Sequence, residues 1–168
     1  MTTTATTAGA PTFVLPKDAA VAFSGFDGAD GATKSVLRDV KNAVMSLQEA
    51  DAKGQATANL KRYFIPLQAA TASDTALWYH KNGLTITGTV KDYRPTVKFD
   101  APDRAQVTYC EDERAAFDKV LATGEVKRTK PSLQDFSLWR MGMARNAAGD
   151  WQVADYSQQE RVAKCAVS

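Results

Sequence analysis

The sequence predicts an α+β domain in which N-terminal helices pack on one face of a curved, mostly antiparallel sheet. Three observations carry that expectation. Apolar residues recur at helical spacing in the first half of the chain, and from residue 84 the period changes to two. Between the two regimes stands Asn82-Gly83, a pair suited to a left-handed helix stop. Helices and strands segregated in this way place the helices on one side of a sheet instead of between parallel strands.

Residues 1–12, MTTTATTAGAPT, hold no large apolar side chain after Met1 and read as a flexible leader, leaving 13–168 as one domain. The leader lacks the basic start and apolar run of a secretory signal, so it reads either as the remnant of a chain whose signal has been removed or as a cytosolic N-terminus. After the apolar positions Phe13, Val14, Leu15, Val21 and Phe23, the stretch FDGADGATK (26–34) forms a loop leading to a helix start. Val36, Leu37, Val40, Val44 and Leu47 then define an amphipathic helix over 33–52, ended by Gly54. A second helix of about ten residues puts Ala56, Leu60, Tyr63 and Phe64 on one stripe, with Pro66 as its stop. A third, capped by Ser73 or Asp74, carries Leu77 and Trp78 and closes at Asn82-Gly83.

The first predicted strand alternates Leu84, Ile86 and Val90 with Thr85, Thr87 and Thr89, and Gly88 inside it marks a bulge. Arg94-Pro95 interrupts the pattern before Thr96–Phe99 resumes it. After the turn at Ala101-Pro102-Asp103, Ala105, Val107 and Tyr109 alternate with Gln106, Thr108 and Cys110. Glu111–Lys130 is polar and reads as an excursion between strands. Leu133–Arg145 and Trp151–Tyr156 are the last two strands, joined by a hairpin loop at 146–150.

Composition narrows the functional classes. With 21 basic and 19 acidic residues, the net charge of +2 provides no global attraction to nucleic acid or an anionic membrane. No apolar run approaches the ~20 residues that a spanning helix needs. One histidine and two separated cysteines exclude a site built on two imidazoles or four thiolates. The chain also holds no Walker motif, no GxGxxG after a strand and no GxSxG elbow.

Val107-Thr108-Tyr109-Cys110-Glu111-Asp112, a Gly124-containing insert, Trp139-Arg140-Met141, Gly149-Asp150-Trp151-Gln152-Val153 and a final Cys165 resemble the small secreted proteins and lipoproteins of actinobacteria that adopt an NTF2-like (SnoaL-like) fold. Leu60–Phe64, Leu77, Gly83, Gly88-Thr89-Val90 and Pro95-Thr96-Val97 extend the resemblance over 30–165. It implies a cone of sheet and helices, a Cys110–Cys165 disulfide pinning the tail to the sheet, and an oxidising, extracytoplasmic compartment. Two unrelated thiols in a cytoplasmic protein are the alternative. The family carries no catalytic signature to transfer, and this chain lacks its usual signal peptide or lipobox cysteine.

Enzymes of this fold use a pocket carboxylate or histidine as proton shuttle, which makes His80, Asp92 and Asp135 the candidates here. Each has a plainer reading: His80 as a helix-end residue facing carbonyl dipoles, Asp92 and Asp135 as solvated turn carboxylates. Tyr63, Trp78, Tyr93, Trp139 and Met141 are the expected ligand-pocket lining. Trp139, Met141 and Met143 share a strand face opposite Phe136 and Leu138, so either both faces are covered or one meets a partner or ligand. Lys127, Arg128 and Lys130 form a small basic cluster, too few for membrane anchoring.

The leading expectation is therefore a non-enzymatic, extracytoplasmic domain that binds a protein partner or a small apolar ligand without catalytic residues, metal or cofactor. The alternatives are a SnoaL-like isomerase, cyclase or hydrolase, and a scaffold of a secretion or conjugation apparatus that dimerises through the sheet. An enzyme predicts a deep cavity with a buried acid or imidazole bonded to an aromatic hydroxyl. A cone packed shut removes that reading.

Overall fold

The structure, a computed structural model, describes residues 9–166. Strand β1 (Ala19–Ser24) leads through a turn into three helices, α1 (Gly31–Lys53), α2 (Ala58–Tyr63) and α3 (Pro66–Lys81). Strands β2 (Leu84–Ala101), β3 (Arg104–Val120), β4 (Val126–Lys127), β5 (Phe136–Arg145) and β6 (Trp151–Gln159) come next, with single 3-10 turns at Leu133–Asp135 and Ala163–Cys165. The sheet order is β1-β2-β3-β5-β6, with β4 beside β3, and every strand pairing but β1–β2 is antiparallel among the described residues. This is the expected arrangement of helices on one face of a sheet.

The expected leader falls largely on residues 1–8, outside the described residues. Its last part is anchored: Arg62 donates to the Gly9 carbonyl (3.0 Å) and Asn59 to that of Thr12 (2.9 Å), and just beyond it the Val14 amide donates to Glu49 (3.1 Å). The apolar stretch behind it supplies β1, a strand the periodicity did not single out.

Helix α1 begins where Asp30 accepts from the Thr33 amide (2.7 Å) and ends at Gly54, whose φ of 65° is left-handed. The His80 ring lies where a Cβ on Gly54 would project, so glycine is required for packing as well as for conformation. Pro66 opens α3 at its first turn instead of only stopping α2, as a residue without an amide proton can. Ser73 and Asp74 are consequently inside α3 and not its caps; the Ser73 hydroxyl returns to the Ala69 carbonyl (2.6 Å). The inner face of α3 is Ala69, Ala72 and Ala76, and Leu67, Leu77 and Trp78 point outward.

Strands β2 and β3 form a long hairpin whose turn is Pro102-Asp103. Register shifts at Thr89/Lys91 and Tyr93/Thr96 bend β2 without ending it. The Arg94-Pro95 interruption is thus a bulge, with Arg94 at φ 54°. Gly88, at φ 88°, lies against the Ala115 carbonyl, where no Cβ fits. The expected excursion from Glu111 is corrected more sharply, because β3 continues to Val120.

The helices pack on the concave face, and the convex face is covered only around the C-terminal turn, with Gln106 and Arg140 on it exposed. The concave face, with Val107, Tyr109, Met141, Met143 and Val153, packs with α1–α3 in the main core. On the convex face Cys110, Phe136 and Leu138 lie under Val162 and Cys165. Cys110 and Cys165 are disulfide-bonded, with Cα atoms 5.4 Å apart, and Tyr93 donates its hydroxyl proton to the Cys165 carbonyl. No helix is long and apolar enough to cross a membrane among the described residues.

Candidate functional site

The helices do not fill the concave face. Where α1 and α3 pass over the sheet, small side chains such as Ala72, Ala19 and Ala20 leave a cavity of about 620 Å³. Its roof includes Leu47, Gln48 and Asp51 of α1 and Thr75 and Tyr79 of α3, and its floor is drawn from β2, β3, β5 and β6. The cone is therefore not packed shut.

Three rings cross the floor in neighbouring strands. Trp139 of β5 stacks beside Tyr109 of β3, centroids 6.3 Å apart with planes 6° apart, and beside Tyr156 of β6 at 6.1 Å. Next to this row lies Glu111, two residues along β3 from Tyr109 and so on the same face. Glu111 is 5% exposed and accepts hydrogen bonds at Oε1 from Trp139 Nε1 (2.8 Å) and Gln158 Nε2 (3.1 Å). Gln158 is steadied by Ser137, its amide also lying 3.1 Å from the hydroxyl oxygen. Among the described residues no donor reaches Oε2.

Asp92 pairs in register with Glu111 across β2 and β3. It is fully buried, and neither carboxyl oxygen has a hydrogen-bond partner among the described residues, a rare condition that asks for an explanation. The sequence reading of Asp92 as a solvated turn carboxylate is thus overturned: bulges, not a strand end, surround it, and the sheet carries it inward.

Electrostatically the site is acidic. Asp51, Glu111, Glu113, Asp118 and Asp135 line the cavity, and among the described residues Lys127 at the rim is the one basic lining side chain. Burial pushes Asp51 up to about 7, and burial with the Glu113 charge pushes Asp92 up to about 8. Burial, then the charges of Glu113 and Asp92, hold Glu111 well above the usual carboxylate range against its two donors. Burial also raises the Tyr79 hydroxyl to about 12 and pushes the Tyr109 hydroxyl well above the usual phenol range. Protonated acids therefore persist here near neutral pH.

Of the expected lining residues, Trp139 faces the cavity. Tyr63 is in the core between α1 and β6, its hydroxyl accepting from Asn42 (3.1 Å). Met141 is fully buried in the same core, Tyr93 is on the convex face beside the disulfide, and Trp78 is 59% exposed beside a shallow surface groove. The five are not brought together. His80 reaches from the last turn of α3 to the Asp51 and Ala52 carbonyls near the end of α1 (3.1 and 3.0 Å), so it joins two helices. Asp135 borders the cavity while closing a capping box with Ser132. Lys127 is at the rim, Arg128 covers the Phe117 ring, and Lys130 is exposed.

Glu111 and Glu113 escaped the sequence reading because they lie in the segment taken as an excursion. The available signal was the alternation of Tyr109, Glu111 and Glu113, which continues the inward face of β3 with acids in place of apolar residues.

No family model and no curated protein matches the chain. Among solved structures, a ketosteroid isomerase-like protein from Erwinia carotovora atroseptica SCRI1043 is similar with a TM-score of 0.50 at 15% identity, over 75% of this chain and 93% of that one. A protein from Catenulispora acidiphila (TM-score 0.45, 10% identity, 75% of this chain and 88% of that one) is also similar. So is the intermembrane space region of the chloroplast protein ARC6 (0.44, 15%, 73% and 95%). The likeness to the first, with the topology above, shows an NTF2-like α+β cone and nothing finer.

Proposed function

We propose that this protein is a small-molecule-binding module whose ligand enters the cavity between α1, α3 and the sheet. The observation that carries the reading is Glu111. Its Oε1 is fixed by Trp139 and Gln158 and its Oε2 is free of donors among the described residues, in a space of about 620 Å³ that lies within the usual ligand-pocket range. A polar group held at one oxygen and open at the other is built to meet something. The ligand is then not purely apolar, since acids share the lining with aromatic rings.

The disulfide supports an oxidising, extracytoplasmic location. A second reading, acid–base catalysis on a hydrophobic small molecule, is favoured by the burial of Glu111, which pushes its carboxyl above the usual carboxylate range. Its carboxyl, however, is bonded to an indole N–H and an amide, not to an aromatic hydroxyl.

The test uses N-phenyl-1-naphthylamine, a neutral dye whose emission rises in apolar surroundings. Saturable binding is expected, and it should be lost in Thr75→Trp, which puts a large ring at an exposed rim position. Equal binding by the variant refutes a ligand site in this cavity, and absence of dye binding refutes one for neutral apolar ligands.

A further inference from the structure

We propose that the ligand is a small organic cation, an amine or quaternary ammonium with an apolar or aromatic body, held between Glu111 and the Tyr109–Trp139–Tyr156 row. This rests on the reading of the cavity as a binding site and specifies what it binds.

Three independent observations converge on that chemistry. The first is the imbalance of charge: acids from α1, β3 and the 3-10 turn before β5 face the cavity, opposed among the described residues by Lys127 alone at the rim. Burial without counter-charges pushes these carboxyls toward their neutral form, and a positive ligand supplies the partner beside which Glu111 ionises. The second is Asp92, fully buried behind Glu111 with both oxygens unpartnered. A fold that keeps two adjacent carboxyls out of water, one with no donor at all, is poised to gain from positive charge arriving at Glu111. The third is the aromatic floor, whose stacked rings provide the π-surface and apolar contact that suit an ammonium with a hydrophobic body.

The alternative cation, a bare metal ion, is disfavoured by geometry. No three acidic, histidine or cysteine side chains converge on one point among the described residues. The acids are instead spread around a volume far larger than an ion, which fits a charge carried on an organic body. An anionic ligand would meet Glu111, Glu113 and Asp118 with no basic group at depth among the described residues.

Displacement of bound N-phenyl-1-naphthylamine by three compounds of one shape class decides the matter: benzyltrimethylammonium, its neutral carbon isostere neopentylbenzene, and benzoate. The cation should displace the dye at roughly tenfold lower concentration than neopentylbenzene, the scale of a desolvated cation–π contact, and benzoate should be the weakest. Glu111→Gln, which keeps an acceptor for Trp139, should bring the cation-to-neutral ratio toward one; Asp51→Asn, on a different element, should lower it as well. Equal displacement by the cation and its isostere overturns the cation proposal and leaves the binding reading standing. If the dye itself does not bind, calorimetric titration with benzyltrimethylammonium decides, and absence of heat overturns both.

Discussion

Asp92→Asn is expected to stabilise the protein by an amount that grows with pH. The side chain is isosteric, so packing between β2 and β3 is kept, while the titrating group is removed. In the native state burial and Glu113 raise the Asp92 carboxyl from 3.8 to about 8. Between those values the folded protein keeps a proton that the unfolded chain has released, so wild-type stability falls as pH rises through this interval and levels off above it. At ~1.4 kcal/mol for each pH unit, the interval of about four units corresponds to a loss on the order of 5 kcal/mol by pH 8, and little at pH 4. Urea unfolding at pH 4, 6 and 8, monitored by tryptophan emission with the disulfide intact, reads the difference directly. The two proteins should nearly coincide at pH 4 and diverge by several kcal/mol at pH 8. Curves separated by the same amount at all three values would mean that Asp92 is not held protonated, and would refute the account of its burial.

Replacing both Cys110 and Cys165 by serine frees a loop closed across 55 residues and should cost about 4 kcal/mol in chain entropy, read as a lower urea midpoint that reductant no longer shifts. Gly54→Ala forces a left-handed φ on a residue with a Cβ and displaces the His80 ring, so a loss of about 1–3 kcal/mol and a lower Tm are expected; an unchanged Tm would contradict the packing described. Asp39→Ala leaves the buried Trp151 amide (2.9 Å from Asp39) without its acceptor and should destabilise by about 1–3 kcal/mol in the same urea assay.

The sequence spoke most clearly where one face of an element is uniformly apolar. Helix α1 shows its stripe because Val36, Val40 and Val44 face the core, and the loop at 146–150 shows its turn chemistry. The site was less legible for a physical reason. Along β3 the inward positions change from Val107 and Tyr109 to Glu111 and Glu113, so the apolar alternation that marks a strand stops where the cavity begins. Trp78 misled in the opposite sense. It was expected to line a pocket, but the buried face of α3 is alanine, which leaves room for the cavity and turns the indole outward. Burial of Asp92 depends on bulges in β2 that local spacing does not reveal.

The three tryptophans provide the most direct test of a ligand in the cavity. Trp139 borders it, Trp78 lies on the surface of α3 and Trp151 is buried in the core against Phe99. In a ¹⁵N-correlated NMR titration with N-phenyl-1-naphthylamine, the Trp139 indole signal should shift saturably, because its N–H bonds Glu111, while those of Trp78 and Trp151 stay in place. A shift of Trp78 with Trp139 unmoved would put the dye on the outer surface of α3 and contradict the assignment of the cavity as the binding site.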